Sequence, residues 1–181
     1  MLFRSLPTSW ECDDVALGPR VSLAVVDPEL AGDAVLTRLA TDVVYFDQLA
    51  CSSPQILFVK AAPGSGRLET FLDRFAPIFA KQALANPRHR LDYAETYQIL
   101  LDRARVVAEG GRLRRDEQTQ WTLAVVDRPL PKVSCANRFL QIVPFEDFRV
   151  VEQAVPRNVQ TVVTLLSQED AAGFTEQAAQ R

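Results

Sequence analysis

Three cysteines, Cys12, Cys51 and Cys135, and a single histidine, His89, are the side chains of this 181-residue sequence best suited to nucleophilic chemistry. A thiolate is soft, strongly nucleophilic and a good leaving group, so a cysteine can accept an acyl group from a thioester and later surrender it. Cys51 has the most suggestive setting, in Phe46-Asp47-Gln48-Leu49-Ala50-Cys51-Ser52-Ser53-Pro54-Gln55. Position alone favours a packing role, because free cysteines behave as small hydrophobes. The polar Ser52-Ser53-Pro54 that follows argues instead for a tight loop, where chemistry concentrates. The backbone N–H groups of Cys51 and Ser52 are candidates to receive the charge that develops on a thioester oxygen, a role that needs only loop geometry. Gln48 and Asp47 lie within one helical turn of Cys51 and are candidates to orient a substrate or brace the loop; a plain polar helix end is an equal alternative. Asp47 is not assigned as a base, since a carboxylate beside a thiol opposes its ionisation. Gln55 reads as structural.

His89 lies in Asn86-Pro87-Arg88-His89-Arg90, a polar connection between helices, where a solvated role outweighs pairing with a cysteine. Cys12 and Cys135 lack a nucleophile's setting and read as packing residues, with Cys135 a lesser candidate to line the site. An odd number of cysteines without CxxC spacing fits a reducing compartment and argues against a disulfide framework or a zinc site, so no metal is expected. A formal net charge of −3 gives no pull toward nucleic acid or anionic lipid. No run approaches the twenty or so apolar residues that a membrane span requires, and residues 1–14 carry no signal-peptide pattern. The expectation is a cytoplasmic protein.

The elements that must position Cys51 follow from periodicity. Short apolar runs rich in β-branched residues alternate with longer segments of helical spacing, which predicts an α/β fold with a mostly parallel sheet flanked by helices. Strands are expected over residues 20–26, 55–60, 120–126, 139–143 and 159–166. Helices are expected over 33–48, 68–84, 91–109, 148–154 and 168–180. The first helix should bury Val35, Leu36, Leu39, Val43, Val44 and Phe46, leaving Cys51 in a helix-to-strand loop punctuated by Pro54. Arg112-Leu113-Arg114-Arg115-Asp116-Glu117 mixes both signs and reads as a solvated turn, with contact to a CoA phosphate as a minor alternative. Gly64-Ser65-Gly66 has the wrong length for a dinucleotide-binding fingerprint and reads as a strand-exit turn. With 48% hydrophobic residues and no linker, the chain is expected to form one domain over 1–181.

The stretch from Phe46 to Gln55, with the apolar strand after it, resembles the catalytic-cysteine signature of LuxC-type fatty acyl reductases, relatives of the aldehyde dehydrogenases. Leu17-Gly18-Pro19-Arg20 leading into Ser22 to Glu29 is similar to the glycine turn and strand that open the aldehyde dehydrogenase catalytic domain, and Phe139 to Phe145 with Glu146-Asp147 is similar to its later strand-helix-strand unit. The resemblance implies that Cys51 is the nucleophile, with Ser52 and Gln48 the candidates named above for oxyanion or orienting roles, and that the domain is one part of a longer enzyme whose dinucleotide-binding part holds NADPH. Two departures favour reduction over oxidation: Ala16 stands where the family's general-base glutamate is expected, and residues 134–138 do not reproduce its glutamate-rich ribose-gripping motif. A base that activates water would discharge the acyl-enzyme before hydride could.

The expected function is therefore reduction of a fatty acyl-CoA or acyl-protein thioester to the aldehyde through an acyl-cysteine, with an acyl-protein synthetase or acyl transferase implied as partner by the same resemblance. The alternatives are a non-catalytic assembly module that needs a partner, which a large exposed apolar patch would favour, and a fragment of an aldehyde-oxidising dehydrogenase.

Overall fold

The computed structural model describes residues 20–88, 90–130, 136–155 and 158–179. Cys12, Ala16, the Leu17-Gly18-Pro19 turn, His89 and Cys135 lie outside the described residues, as do the expected roles assigned to them. Six strands form one sheet: β1 (Val21–Val26), β2 (Pro54–Lys60), β3 (Arg112–Arg115), β4 (Thr122–Val125), β5 (Phe139–Phe145) and β6 (Val159–Leu165). Their order is β3-β4-β5-β2-β1-β6. All pairings are parallel except β3 with β4. Five helices cover it: α1 (Asp33–Val44), α2 (Gly66–Ala85), α3 (Tyr93–Ala108), α4 (Phe148–Ala154) and α5 (Gln168–Ala179).

Burial on both faces explains why the central strands read as continuous apolar runs rather than alternating ones. Alternate residues of one strand serve opposite cores. Leu57 and Val59 of β2 pack with α1 and α2, whereas Ile56 and Phe58 pack with α3, α4 and α5 on the other face. On α2, Phe71, Phe75 and Phe79 recur every four residues, so they stack along one stripe and continue into Trp121.

Two expectations are corrected. The first helix does not run to residue 48: it ends at Val44, and Phe46, Asp47 and Gln48 adopt positive φ of 55°, 53° and 64°. Left-handed backbone is unfavourable for residues with a Cβ, so a tertiary contact must hold it; that contact is described below. Because the helix stops early, Phe46 leaves the buried face and is 68% exposed, and Val35 is exposed as well. The run from Arg112, expected as a solvated turn, begins with the edge strand β3. Its alternation accounts for the charges. Leu113 packs on the α3 side, while Arg112 and Arg114 reach across the other face to Glu69 and Asp73 of α2. Charged side chains on an exposed edge strand also block further strand pairing.

The β3–β4 connection is organised by Asp116. Its carboxylate accepts from the backbone N–H groups of Gln118 (2.9 Å) and Trp121 (3.1 Å) and from Arg103 (3.3 Å). Partial burial alone would raise this carboxyl, but the N–H groups of Gln120, Trp121 and Gln118, together with Arg103, outweigh it and hold it below the usual aspartate value of 3.8. A depressed carboxyl stabilises the fold above its unfolded-state value, and that contribution is lost as pH falls through the lower folded-state value. Asp116→Asn should therefore lower stability at neutral pH and flatten the acid limb of the stability curve below about pH 4, as followed by urea denaturation across a pH series. In the core, Phe75→Ala should cost about 3–5 kcal/mol by the same method.

Candidate active site

Cys51 is exposed, in a loop that joins the exit of α1 to the amino end of β2. Side chains from several elements fix the loop while leaving the sulfur outside. The Ser22 hydroxyl, on β1, donates to the Cys51 carbonyl at 2.5 Å. The Ser53 hydroxyl donates to the Asp42 carbonyl of α1 at 2.7 Å. The Gln48 amide donates to the Pro54 carbonyl at 2.8 Å, and the Gln55 amide returns a bond to the Gln48 carbonyl at 2.9 Å. Gln48 is buried, so its contacts are those of a brace, whereas Ser52 is exposed beside Cys51. Gln55, expected to be structural, makes the contacts of one.

Behind the loop stands an ion pair. Asp47 accepts from both Nε and Nη2 of Arg138 at 2.7 Å, with Arg138 only 2% exposed. Arg138 also donates to the carbonyls of Ala83 (3.1 Å) and Asn86 (2.7 Å) at the end of α2. The Asp47 carbonyl accepts from the Asn137 N–H at 2.9 Å. Ala136, Asn137 and Arg138 themselves have φ of 55°, 55° and 60°. Two left-handed turns, one leaving α1 and one entering β5, are thus docked against each other, which explains how both are held. Asp47 is engaged here as an ion-pair partner of Arg138.

Sequence reasoning missed Gln160. It lies on β6, exposed, with its Nε2 3.5 Å from the Cys51 sulfur. The pairing of β1 with β6 slips there: Val21 faces Val159 but Ser22 faces Thr161, leaving Gln160 unpaired. On the other side of β1 the pairing with β2 slips at the same level, from Ser22↔Pro54 to Leu23↔Ile56, leaving Gln55 unpaired. A polar residue near the start of the β-branched run Val159 to Leu165 was the available signal, and nothing local tied it to a cysteine 109 residues away.

Among the described residues no group of three or more His, Cys, Asp or Glu side chains could hold a metal ion. A dinucleotide does not fit the Gly64-Ser65-Gly66 segment, which is the strand-exit turn expected. Gly64 is required by its φ of +69°, the Ser65 side chain caps the helix by accepting from the Leu68 N–H, and Arg67 is turned onto Asp27. The Ser65 cap occupies one of the helix-start N–H groups that a phosphate would use.

A family model for acyl-CoA reductase (LuxC) matches residues 3–181. The chain belongs to the LuxC acyl-CoA reductase family. Comparison with curated protein sequences gives no match. Among solved structures, this LuxC-family chain is similar to an indole-3-acetaldehyde dehydrogenase in complex with NAD+, with TM-score 0.62 and 14% identity over 89% of this chain and 36% of that one. It is also similar to a gamma-glutamyl-gamma-aminobutyraldehyde dehydrogenase from Burkholderia cenocepacia, with TM-score 0.60 and 17% identity over 89% and 36%. A third is a 1-pyrroline-5-carboxylate dehydrogenase from Thermus thermophilus, with TM-score 0.61 and 15% identity over 86% and 33%. These likenesses give the aldehyde dehydrogenase fold, and the chain spans about a third of the length of these structures.

Breaking the buried pair by Arg138→Met should destabilise the protein by about 3–5 kcal/mol, because it removes the guanidinium from which the buried Asp47 carboxylate accepts. Adding Asp47→Asn to that variant should recover part of the loss. Urea denaturation of the single and double variants reads both numbers.

Proposed function

We propose that this chain carries the acyl-accepting site of an enzyme that reduces a fatty acyl-CoA, or a related acyl-protein thioester, to the aldehyde. The observation that carries the reading is an exposed cysteine on a braced loop, in a chain of the LuxC acyl-CoA reductase family. In the acyl-transfer half, the Cys51 sulfur attacks the thioester carbonyl carbon. A new S–C bond forms, and the original C–S bond breaks with its electron pair leaving on the departing thiol, which takes up a proton. The backbone N–H groups of Cys51 and Ser52 are the donors best placed by sequence to receive charge on the carbonyl oxygen. Phe46 and Leu49, 68% and 66% exposed on the same loop as Cys51, are the apolar side chains we assign to an aliphatic chain.

On this reading the hydride comes from NADPH held by residues other than those described, and the chain is a single catalytic domain of a longer enzyme. Its own residues are assigned the acyl transfer alone. Acyl-protein synthetase or acyl transferase subunits are the partners in keeping with such a substrate, and the cytoplasm the compartment. No described helix is long and apolar enough to cross a membrane.

The exposed apolar side chains Tyr45, Phe46 and Leu49 also favour a second reading, an assembly module that binds a partner and has no activity alone. Intact-protein mass spectrometry after incubation with a long-chain acyl-CoA separates the two. The first reading expects one acyl adduct that disappears in Cys51→Ala and persists as an ester in Cys51→Ser. An adduct that survives Cys51→Ala, or a folded chain that takes none with or without the complementary dinucleotide-binding part added in trans, overturns it.

A further inference from the structure

The Cys51 sulfur has a neighbour to which neither the LuxC membership nor the dehydrogenase fold assigns a role. We propose that Gln160 is a positioning residue for the Cys51 nucleophile, its side-chain amide donating to the sulfur and holding it, when ionised, toward the open edge of the sheet. The proposal rests on the reading of Cys51 as the acyl acceptor.

Three independent features of the fold converge on this contact. The first is the distance, 3.5 Å from Nε2 to Sγ, within the range for an N–H donor to the large sulfur atom. The second is the slip in pairing between β1 and β6 that leaves Gln160 outside the ladder. An extra residue in a strand re-aims a side chain, and such irregularities are rare between parallel strands and frequent beside active sites. Had the register run on unbroken from Val21↔Val159, Ser22 would face Gln160, and every later residue of β6 would change face. The third is the anchoring of Cys51 itself, whose carbonyl is held by Ser22, the residue at which the slip occurs. Ser22 therefore fixes the backbone of the nucleophile and marks the point where β6 releases Gln160 toward its sulfur.

The chemistry of the donor suits the task. A neutral thiol sulfur is a weak acceptor and a thiolate a strong one, so an amide N–H favours the charged form and gives it a preferred direction. A glutamine does this without adding a formal charge, and the charge that faces the loop from behind, Asp47, is already compensated by Arg138. Gln160 is exposed, on an edge strand, so its replacement leaves both cores intact.

The test measures the rate at which iodoacetamide alkylates Cys51 at pH 7, followed on the Cys51 peptide by mass spectrometry, in the full chain and in Gln160→Met and Gln160→Lys. Methionine keeps the length of the side chain and removes the donor; lysine keeps a donor. Gln160→Met should slow alkylation about threefold to tenfold, the scale of one hydrogen bond to a charged group at an exposed site, and Gln160→Lys should restore at least the native rate. Acylation by acyl-CoA should fall in parallel in Gln160→Met. A native rate in Gln160→Met overturns the proposal, as does an equal loss in both variants, which would assign the effect to packing. A native Cys51 that does not react with iodoacetamide also overturns it. If the native chain alkylates as expected but takes no acyl group, the reading of Cys51 as acyl acceptor fails while the role of Gln160 stands or falls on the alkylation rates.

Discussion

The Asp47–Arg138 pair is the contact from which the geometry of the site follows. It joins residues 91 positions apart and lies almost wholly inside the protein. A buried ion pair is a poor source of net stability, because desolvation of the two ions consumes most of what their attraction supplies. Its value here lies in conformation. Arg138 spends its remaining N–H groups on the carbonyls of Ala83 and Asn86, where α2 ends, and Asp47 spends its carbonyl on Asn137. Four segments, the exits of α1 and α2, the Cys51 loop and the entry to β5, are thereby placed relative to one another by one guanidinium and one carboxylate. Only such a contact makes left-handed backbone affordable at Phe46, Asp47 and Gln48, and that backbone ends α1 and frees the chain to turn toward Cys51.

The same contact explains what could and could not be read from the sequence. Among the described residues, apolar runs between helical segments were enough to locate five of the six strands and all five helices to within a few residues, because burial on both faces of the central strands, and the β-branched composition of the edge strand β6, write themselves into the sequence. The helix to residue 48 failed because Tyr45-Phe46-Asp47-Gln48 has no glycine or proline to announce a break; the break is imposed by Arg138, far along the chain. The strand β3 escaped because only Leu113 of its four residues is apolar, and its pairing with β4 and its contacts to Glu69 and Asp73 are tertiary facts. Cys51 was legible from its surroundings. Gln160 was not, since its meaning comes from a one-residue slip in strand pairing that no local pattern encodes.

The location of Cys51 departs from the general habit of open parallel sheets, in which ligands gather beyond the carboxyl ends of the strands. Here Cys51 lies at the amino ends, beside three consecutive strands, β2, β1 and β6. The carboxyl ends carry ion pairs instead: Asp27 at the end of β1 holds Arg67, and Lys60 at the end of β2 holds Asp170, each at 2.5 Å.

The two edges therefore differ in the kind of polarity they present, and the difference suits the chemistry. Among the described residues, the neutral side chains of Ser22, Ser53, Gln48, Gln55 and Gln160 bond around Cys51, and the Asp47–Arg138 ion pair stands behind them. A formal positive charge beside the sulfur would hold a thiolate more firmly. Neutral amide and hydroxyl donors give direction with a smaller ground-state preference. The paired slips on either side of Ser22 are the backbone device that brings such donors to the amino edge, and the proposed role of Cys51, taking up an acyl group and releasing it, would gain from that balance.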